Sequence, residues 1–219
     1  VYLTEDLRID GKKTRDNYHT ILYAKNLKGV SELNRLITKS SDEYHKYYTP
    51  RVTFDDFLTM SSNIISTSAC LGSPINKLTP EHPYFERLVK KYDFLEIQPH
   101  FRSADQIDFN YKIRDLSLVY EKKLILGTDT HEVSGYKQEC RSILKKAKKS
   151  SYADEDSYDL YMKPYEEVLE QYGYLGIEDL PISIYEEALE NTNVLADMIE
   201  EFELDYTFKY PKLYENEEA

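Results

Sequence analysis

Leu124-Ile125-Leu126-Gly127-Thr128-Asp129-Thr130-His131 is an apolar run that stops at a glycine and gives way to a carboxylate and an imidazole two residues apart. So short an apolar run, bounded by a turn residue, predicts a buried strand. Side chains of an extended segment alternate, so Asp129 and His131 point the same way. A carboxylate beside an imidazole suits zinc, manganese or iron, although Asp-x-His alone arises often by chance. Two other runs share the plan. Asn63 to Ser68 is rich in Ile, Ser and Thr and leads to Ala69-Cys70-Leu71-Gly72, and Asp93 to Gln98 leads to Pro99-His100. In parallel α/β folds, functional groups gather at the carboxyl ends of strands. Cys70, His100, Asp129 and His131 are therefore the candidate metal ligands.

The segments around these runs complete the pattern. Val1 to Thr4 is β-prone with no initiator Met, as if a strand were entered midway, so the chain reads as a fragment of something longer. Thr20 to Ala24 is a second early strand. Val30 to Lys39 carries Val30, Leu33, Leu36 and Ile37 at helical spacing. Thr53 with Asp56 forms a capping box for a short helix through Phe57 and Leu58. Pro80 opens a helix through Leu88 to Tyr92, and Ser103 caps one running to about Lys122. Strands alternating with helices imply right-handed βαβ units and a parallel sheet or barrel.

Beyond about residue 132 the character changes. Tyr136 to Lys149 predicts a basic helix, and Ser150 to Asp159 an acidic loop. A helix follows from Pro164 through Val168 and Leu169, and a last one opens at the box Ser183/Glu186. Residues 206–219, rich in Tyr and Glu, read as a linker. The expected division is a partial barrel over 1–135, a helical extension over 136–205 and a linker over 206–219.

Composition narrows the function classes. With Lys and Arg numbering 28 against 40 Asp and Glu, the net charge of -12 argues against a surface that grips nucleic acid throughout, because phosphate neutralisation dominates such binding. No run approaches the ~20 apolar residues of a membrane span, so no membrane partner is expected. Two cysteines make no disulfide framework, and a reducing cytoplasm is the default location. Each candidate also has an ordinary role. Cys70 is a typical small buried hydrophobe, and His100 a typical loop histidine. Glu96 alternates with Leu95 and Ile97, either orienting His100 as a supporting carboxylate or facing solvent. His19 is expected to hydrogen-bond locally, and His45 and His82 have no assigned role. The run Lys145-Lys146-Ala147-Lys148-Lys149, with Arg141, is read as a solvated helix face, since no aromatic residue interleaves with it.

The ordered set Ile64–Gly72, Phe94-Leu95-Glu96-Ile97-Gln98-Pro99-His100 and Leu126-Gly127-Thr128-Asp129-Thr130-His131 resembles the PHP (polymerase and histidinol phosphatase) family. The version at the amino end of bacterial replicative DNA polymerase III alpha subunits is the closer match. His19 to Gly29, Tyr161-Met162-Lys163 and Glu186 to Thr192 are similar to other parts of that subunit, so the resemblance spans about residues 1–212. It implies a distorted (β/α)7, TIM-like barrel, here incomplete at its amino end, with a C-terminal helical extension. It implies a cluster of up to three zinc or manganese ions, with Cys70, His100, Asp129 and His131 on ligand positions. It also implies a role in DNA replication: stabilising the polymerase, with metal-dependent phosphoesterase or 3'-5' exonuclease activity, and with DNA and other replisome subunits as partners reached through the intact polymerase. The family's opening His-x-His, a later histidine and a glutamate expected just before Val1 are absent. The fragment is therefore expected to be inactive alone, and the missing strands to leave an open sheet edge. The alternative is a stand-alone PHP phosphoesterase acting on a small phosphate monoester.

Overall fold

The computed structural model describes residues 1–100, 103–148, 159–173, 180–208 and 210. The expected acidic loop lies outside these residues except for Asp159, as do Lys209 and residues 211–219 of the expected linker.

The first strand, β1 (Tyr2–Thr4), is followed by a small hairpin of β2 (Arg8–Ile9) and β3 (Lys12–Lys13), then β4 (Tyr18–His19) and β5 (Ile21–Ala24). Helix α1 (Leu27–Ser40) starts earlier than its apolar spacing indicated, because Asn26 caps it: Asn26 Oδ1 accepts from the N–H groups of Lys28 and Gly29 at 3.1 Å. Next come β6 (Val52–Thr53) and α2 (Phe54–Leu58), which opens with the expected Thr53/Asp56 box. Strand β7 (Ile64–Thr67) leads to α3 (Pro74–Lys77) and α4 (Phe85–Lys91), and β8 (Phe94–Ile97) to α5 (Ala104–Tyr120), which Ser103 caps as predicted. Strand β9 (Lys123–Leu126) precedes α6 (Gly135–Ala147), α7 (Tyr165–Gly173) and α8 (Ile182–Asp197).

Two expected helix starts are corrected. The helix placed from Pro80 begins at Phe85, since His82 first accepts a bond from the Phe85 N–H in a turn. The last helix begins at Ile182 behind Pro181, so the Ser183/Glu186 pair lies inside it rather than capping it. Proline's fixed φ supplies the entry that the box was expected to supply.

The fold is mixed α/β. Its strands hydrogen-bond as three sheets, ordered β4-β1-β6, β2-β3 and β5-β7-β8-β9. In the largest, β7, β8 and β9 are parallel, as the helical crossovers require, whereas β5 is antiparallel to β7. The expectation of uniformly parallel strands fails there because β5 follows β4 after the single residue Thr20 and so continues the direction of a strand that is antiparallel to β1. The two larger sheets are stitched at Thr20: its N–H donates to the Val1 carbonyl at 3.0 Å, and its own carbonyl accepts from the Val1 nitrogen at 2.8 Å. The described strands form no closed ring.

The two faces of the large sheet diverge by residue parity. Leu95 and Ile97 join the main core with Phe54, Phe57, Leu88, Tyr92, Phe109 and Ile113. Val168, Leu180, Tyr185 and Ala188 belong to the same core, so α7 and α8 pack as part of the body rather than beside it. On the other face Ile65, Phe94 and Ile125 pack beneath Leu195 of α8.

Candidate metal centre

Glu96, Gln98, Thr67, Ile125, Gly127, Ile21 and Tyr23 line one cleft of about 340 Å³ at the carboxyl ends of β7, β8 and β9. Glu96 with Gln98, Ile125 with Gly127 and Ile21 with Tyr23 are pairs spaced by two, which places each pair on one face of its strand. The rim adds Cys70, Asp129 and His19. Parallel strands thus bring the thiol and the Asp129 carboxylate to one mouth although 59 positions separate them in the chain (129 − 70).

Local backbone aims these groups. Ala69 and Asp129 both take left-handed conformations, with φ of 58° and 46°. Such angles cost an L residue about 1 kcal/mol or more and turn the chain sharply as it leaves the strand. Gly127 lets Glu96 approach: a Cβ at 127 would lie 2.0 Å from Glu96 Oε1. The carboxylate is held by Gln98 Nε2, donating to Oε1 at 2.8 Å, and by Thr67 Oγ1, donating to Oε2 at 3.0 Å. Gln98 is fixed in turn by Asn110, whose Oδ1 accepts from the Gln98 N–H at 3.2 Å and whose Nδ2 donates to its carbonyl at 2.8 Å. Sequence alternation correctly turned Glu96 away from Leu95 and Ile97, but it serves the cleft and not His100.

The other two candidates sit apart from the cleft lining. His131 is exposed, and its Nδ1–H donates to the Asp129 carbonyl at 2.7 Å. That bond fixes the tautomer in which Nε2 keeps its lone pair, the form that ligates a metal. The His131 N–H donates to the Leu160 carbonyl at 2.7 Å, so the segment before α7 anchors this end of the site. His100 is 6% exposed rather than a surface loop residue. Burial, reinforced by the Lys163 ammonium, lowers its pKa to about 4, leaving a neutral imidazole, with Asp159 and His131 also in electrostatic range.

His19 is the residue that sequence reasoning passed over. It sits on the rim with Nδ1 3.4 Å from Cys70 Sγ. Its imidazolium is disfavoured chiefly by burial, against the opposing pull of Asp129. Only the pairing of β4 with β1 and its backbone bond to the turn after Cys70 bring it here, and neither is written in local sequence.

Among the described residues, no three His, Cys, Asp or Glu side chains converge tightly enough to hold an ion as they stand. The electrostatics of the cleft nevertheless fit one. Burial raises the pKa of the Cys70 thiol, and Asp129 and Glu96 push the same way. Burial also raises the pKa of Glu96, with Asp129 adding to it. The cleft thus resists further negative charge while presenting thiol, imidazole and carboxylate donors. A divalent cation inverts that balance, deprotonating a thiol and favouring carboxylate. The donors themselves suit a borderline-soft ion.

An α/β chain with ligand-type side chains at the mouth formed by parallel strand ends is the class that fold and site define. The chain's similarity to known proteins points to replicative polymerases. It is 30% identical over 205 residues to the DNA polymerase III subunit alpha of Borreliella burgdorferi, covering 87% of this chain and 17% of that protein. It is 27% identical over 199 residues to the PolC-type DNA polymerase III of Clostridium perfringens, covering 84% and 13%. A DNA-directed DNA polymerase of Bacillus phage SPbeta is 24% identical over 254 residues, covering 97% and 18%. The chain spans less than a fifth of the length of each of these relatives. No protein-family model matches it. It is related to the DNA polymerase III alpha and PolC-type subunits over most of its own length. Among the described residues, no helix is long and apolar enough to cross a membrane.

Proposed function

We propose that this chain is the PHP-type module of a replicative DNA polymerase related to polymerase III alpha, a cytoplasmic protein of DNA replication. The module braces the polymerase body and binds a zinc- or manganese-class ion at the cleft. DNA and other replisome subunits are its partners through the intact polymerase. The observation that carries this is the delivery of Cys70, Glu96 and Asp129 to one mouth by three parallel strands, in a chain similar to polymerase subunits over 87% of its length. The strip β6-β1-β4/β5-β7-β8-β9 is proposed as the described part of a distorted (β/α)7 barrel, with Thr20 as the joint between its halves.

Within the module, Cys70, Asp129, His131 and His100 are the proposed ligands, and Glu96 the supporting carboxylate. When bound, the ion supplies Lewis-acid stabilisation of charge on a phosphoryl oxygen, the chemistry a phosphodiesterase needs. The chain's own residues shape the cleft. Gln98 and Thr67 hold the Glu96 carboxylate, and the Asp129 carbonyl fixes the His131 tautomer.

Dialysis of the 219-residue chain against zinc or manganese, followed by metal analysis, tests this proposal. At least one ion per chain is expected to be retained, and Asp129→Ala is expected to lower retention several-fold. Metal content unchanged in that variant would remove the ligand assignment. Primer extension by the chain alone would overturn its assignment as a non-polymerising module.

A further inference from the structure

Away from the cleft, one surface joins cations to exposed aromatic rings. Asp10 and Gly11 turn the β2–β3 hairpin with φ of 50° and 76°, the left-handed pair that closes a two-residue loop. Residues 8–15 carry Arg8, Lys12, Lys13 and Arg15 against the lone carboxylate of Asp10, in a chain of net charge -12. Arg8 and Lys13 are paired in register, so both stand on one face of the hairpin. Arg8 lies 5.2 Å from the Tyr44 ring centroid, Lys13 5.8 Å from that of Tyr47 and Arg15 4.9 Å from that of Tyr48. The buried Arg51 guanidinium also faces the Tyr47 ring, at 5.9 Å. Lys13 Nζ ties the two segments together, donating to the Glu43 and Lys46 carbonyls at 2.7 and 2.9 Å. Arg51 Nη1 does the same with the Thr14 and Asp16 carbonyls at 2.8 and 3.0 Å. The adjoining Asp42 carboxylate is engaged by His45, whose Nδ1 lies 2.8 Å away.

Tyr48 is held in a conformation that its side chain disfavours. The Thr49 N–H donates to the Tyr47 carbonyl at 2.8 Å and the Tyr47 N–H to the Thr49 carbonyl at 3.2 Å, which makes Tyr48 the apex of a tight turn with φ of 61°. Left-handed backbone is unfavourable for a bulky L residue. Here it holds the ring out in solvent: Tyr48 is 73% exposed, and Tyr44 beside it 54%. Strain of this kind persists where the surroundings over-determine it, and it gathers at ligand-binding sites. Arg51 is a second sign. It is 1% exposed, and among the described residues its Nε and Nη2 have no hydrogen-bond partner. A buried guanidinium left so incompletely satisfied is costly, and it sets positive charge behind the rings.

We infer that this face binds single-stranded DNA, with bases stacked on Tyr48 and Tyr44 and phosphates taken by Arg8, Lys13 and Arg15. Every base has a π-face and every nucleotide a phosphate, so rings interleaved with cations suit a strand whatever its sequence. A duplex keeps its bases in their own stack, and an acidic peptide would match the cations while leaving the rings unused. That the strand is DNA rests on the polymerase reading above; the surface shares no residue with the metal cleft.

Fluorescence anisotropy of the full 219-residue chain tests it, with a labelled oligothymidylate of about 12 nucleotides, within the footprint range of small single-strand binders. The strand is expected to bind at low salt, and an abasic strand of the same length and charge to bind about fivefold more weakly or worse. The logarithm of the binding constant is expected to fall against that of salt with a slope of about -2, as three phosphate contacts on a single strand predict. Tyr48→Gly is expected to weaken binding about fivefold or more, while its urea midpoint stays at or above the parent's, because glycine relieves the backbone. Unchanged binding in that variant overturns the inference, as does equal binding of the abasic strand or of an Asp/Glu peptide of the same net charge. No binding by the parent chain overturns it too, and leaves standing the relation to polymerases, which rests on sequence similarity. Tighter binding of oligouridylate than of oligothymidylate would remove DNA as the ligand and count against the polymerase reading. Photocrosslinking of the unsubstituted chain to a strand bearing 5-iodouracil, mapped by mass spectrometry, covers a variant that fails to fold. Adducts are expected on Tyr44 or Tyr48, and adducts confined to other tyrosines overturn the inference.

Discussion

Gly127 shows how narrowly the cleft is made. A methyl group there would occupy the position of Glu96 Oε1, 2.0 Å away, and the carboxylate is pinned by Gln98 and Thr67 and cannot simply retreat. Gly127→Ala is therefore expected to cost about 1–3 kcal/mol, as overpacking of a filled site does; chemical denaturation measures it. Glu96 makes stability depend on pH. Burial raises its folded-state pKa above the unfolded value, so the folded chain holds the proton more tightly. The associated stabilisation is full below the ordinary glutamate range and is lost as pH rises through the raised value. A Glu96→Gln chain keeps a group that hydrogen-bonds Gln98 and Thr67 but cannot ionise. Metal-free, it is expected to match the parent at acid pH and to exceed it increasingly as pH rises, read from urea midpoints across the pH range. Parallel midpoint curves would show that the parent's carboxylate is not the titrating group.

Among the elements, α8 decides whether the sheet has an open edge. β9 is the last strand of its sheet, and unpaired strand edges recruit other chains. Here α8 lies along it, and Asn191 Nδ2 donates to the Leu124 carbonyl at 2.9 Å, standing in for a neighbouring strand. The β9 edge is covered in this way by the chain's own C-terminal helix. Asn191→Ala is expected to destabilise by about 1–2 kcal/mol, the cost of leaving a carbonyl without its donor, and to raise the tendency to self-associate in gel filtration at high concentration. A variant as stable and as monomeric as the parent would show that packing of Leu195 on Ile65, Phe94 and Ile125 protects the edge unaided.

For the molecule as a whole, the extension and the strand body are linked at the proposed metal centre. Leu160 holds the backbone of His131 and Glu132, Lys163 and Asp159 lie within electrostatic range of His100, and Val168, Tyr185 and Ala188 fill the main core. Ligand binding at the cleft should then stabilise the whole chain rather than one half. At zinc concentrations about 100 times the dissociation constant, the gain is about 2.7 kcal/mol. For a chain of this size that raises the melting temperature by roughly 5–10 °C. The shift is expected in a single transition seen by both far-UV circular dichroism and tyrosine fluorescence, and to reverse on chelation. Separate transitions, with only one moved by zinc, would show that the extension folds independently.

Much of this was legible along the chain. Local patterns carry short-range information: the three apolar runs became β7, β8 and β9, Ser103 and the Thr53/Asp56 pair became caps, and alternation set the facing of Glu96. The direction of β5, the burial of His100 and the role of Asn191 were not legible, because each depends on a contact with a segment distant in sequence. By itself the sequence determined a mixed α/β chain with thiol, imidazole and carboxylate side chains following its strands, since strand period and turn chemistry act over a few residues. Which of those side chains share a mouth was decided by tertiary structure alone. Pairing of β4 with β1 carries His19 to Cys70 across 51 residues, and the bond between Gly72 and His19 that completes that meeting exists only once both strands are in place.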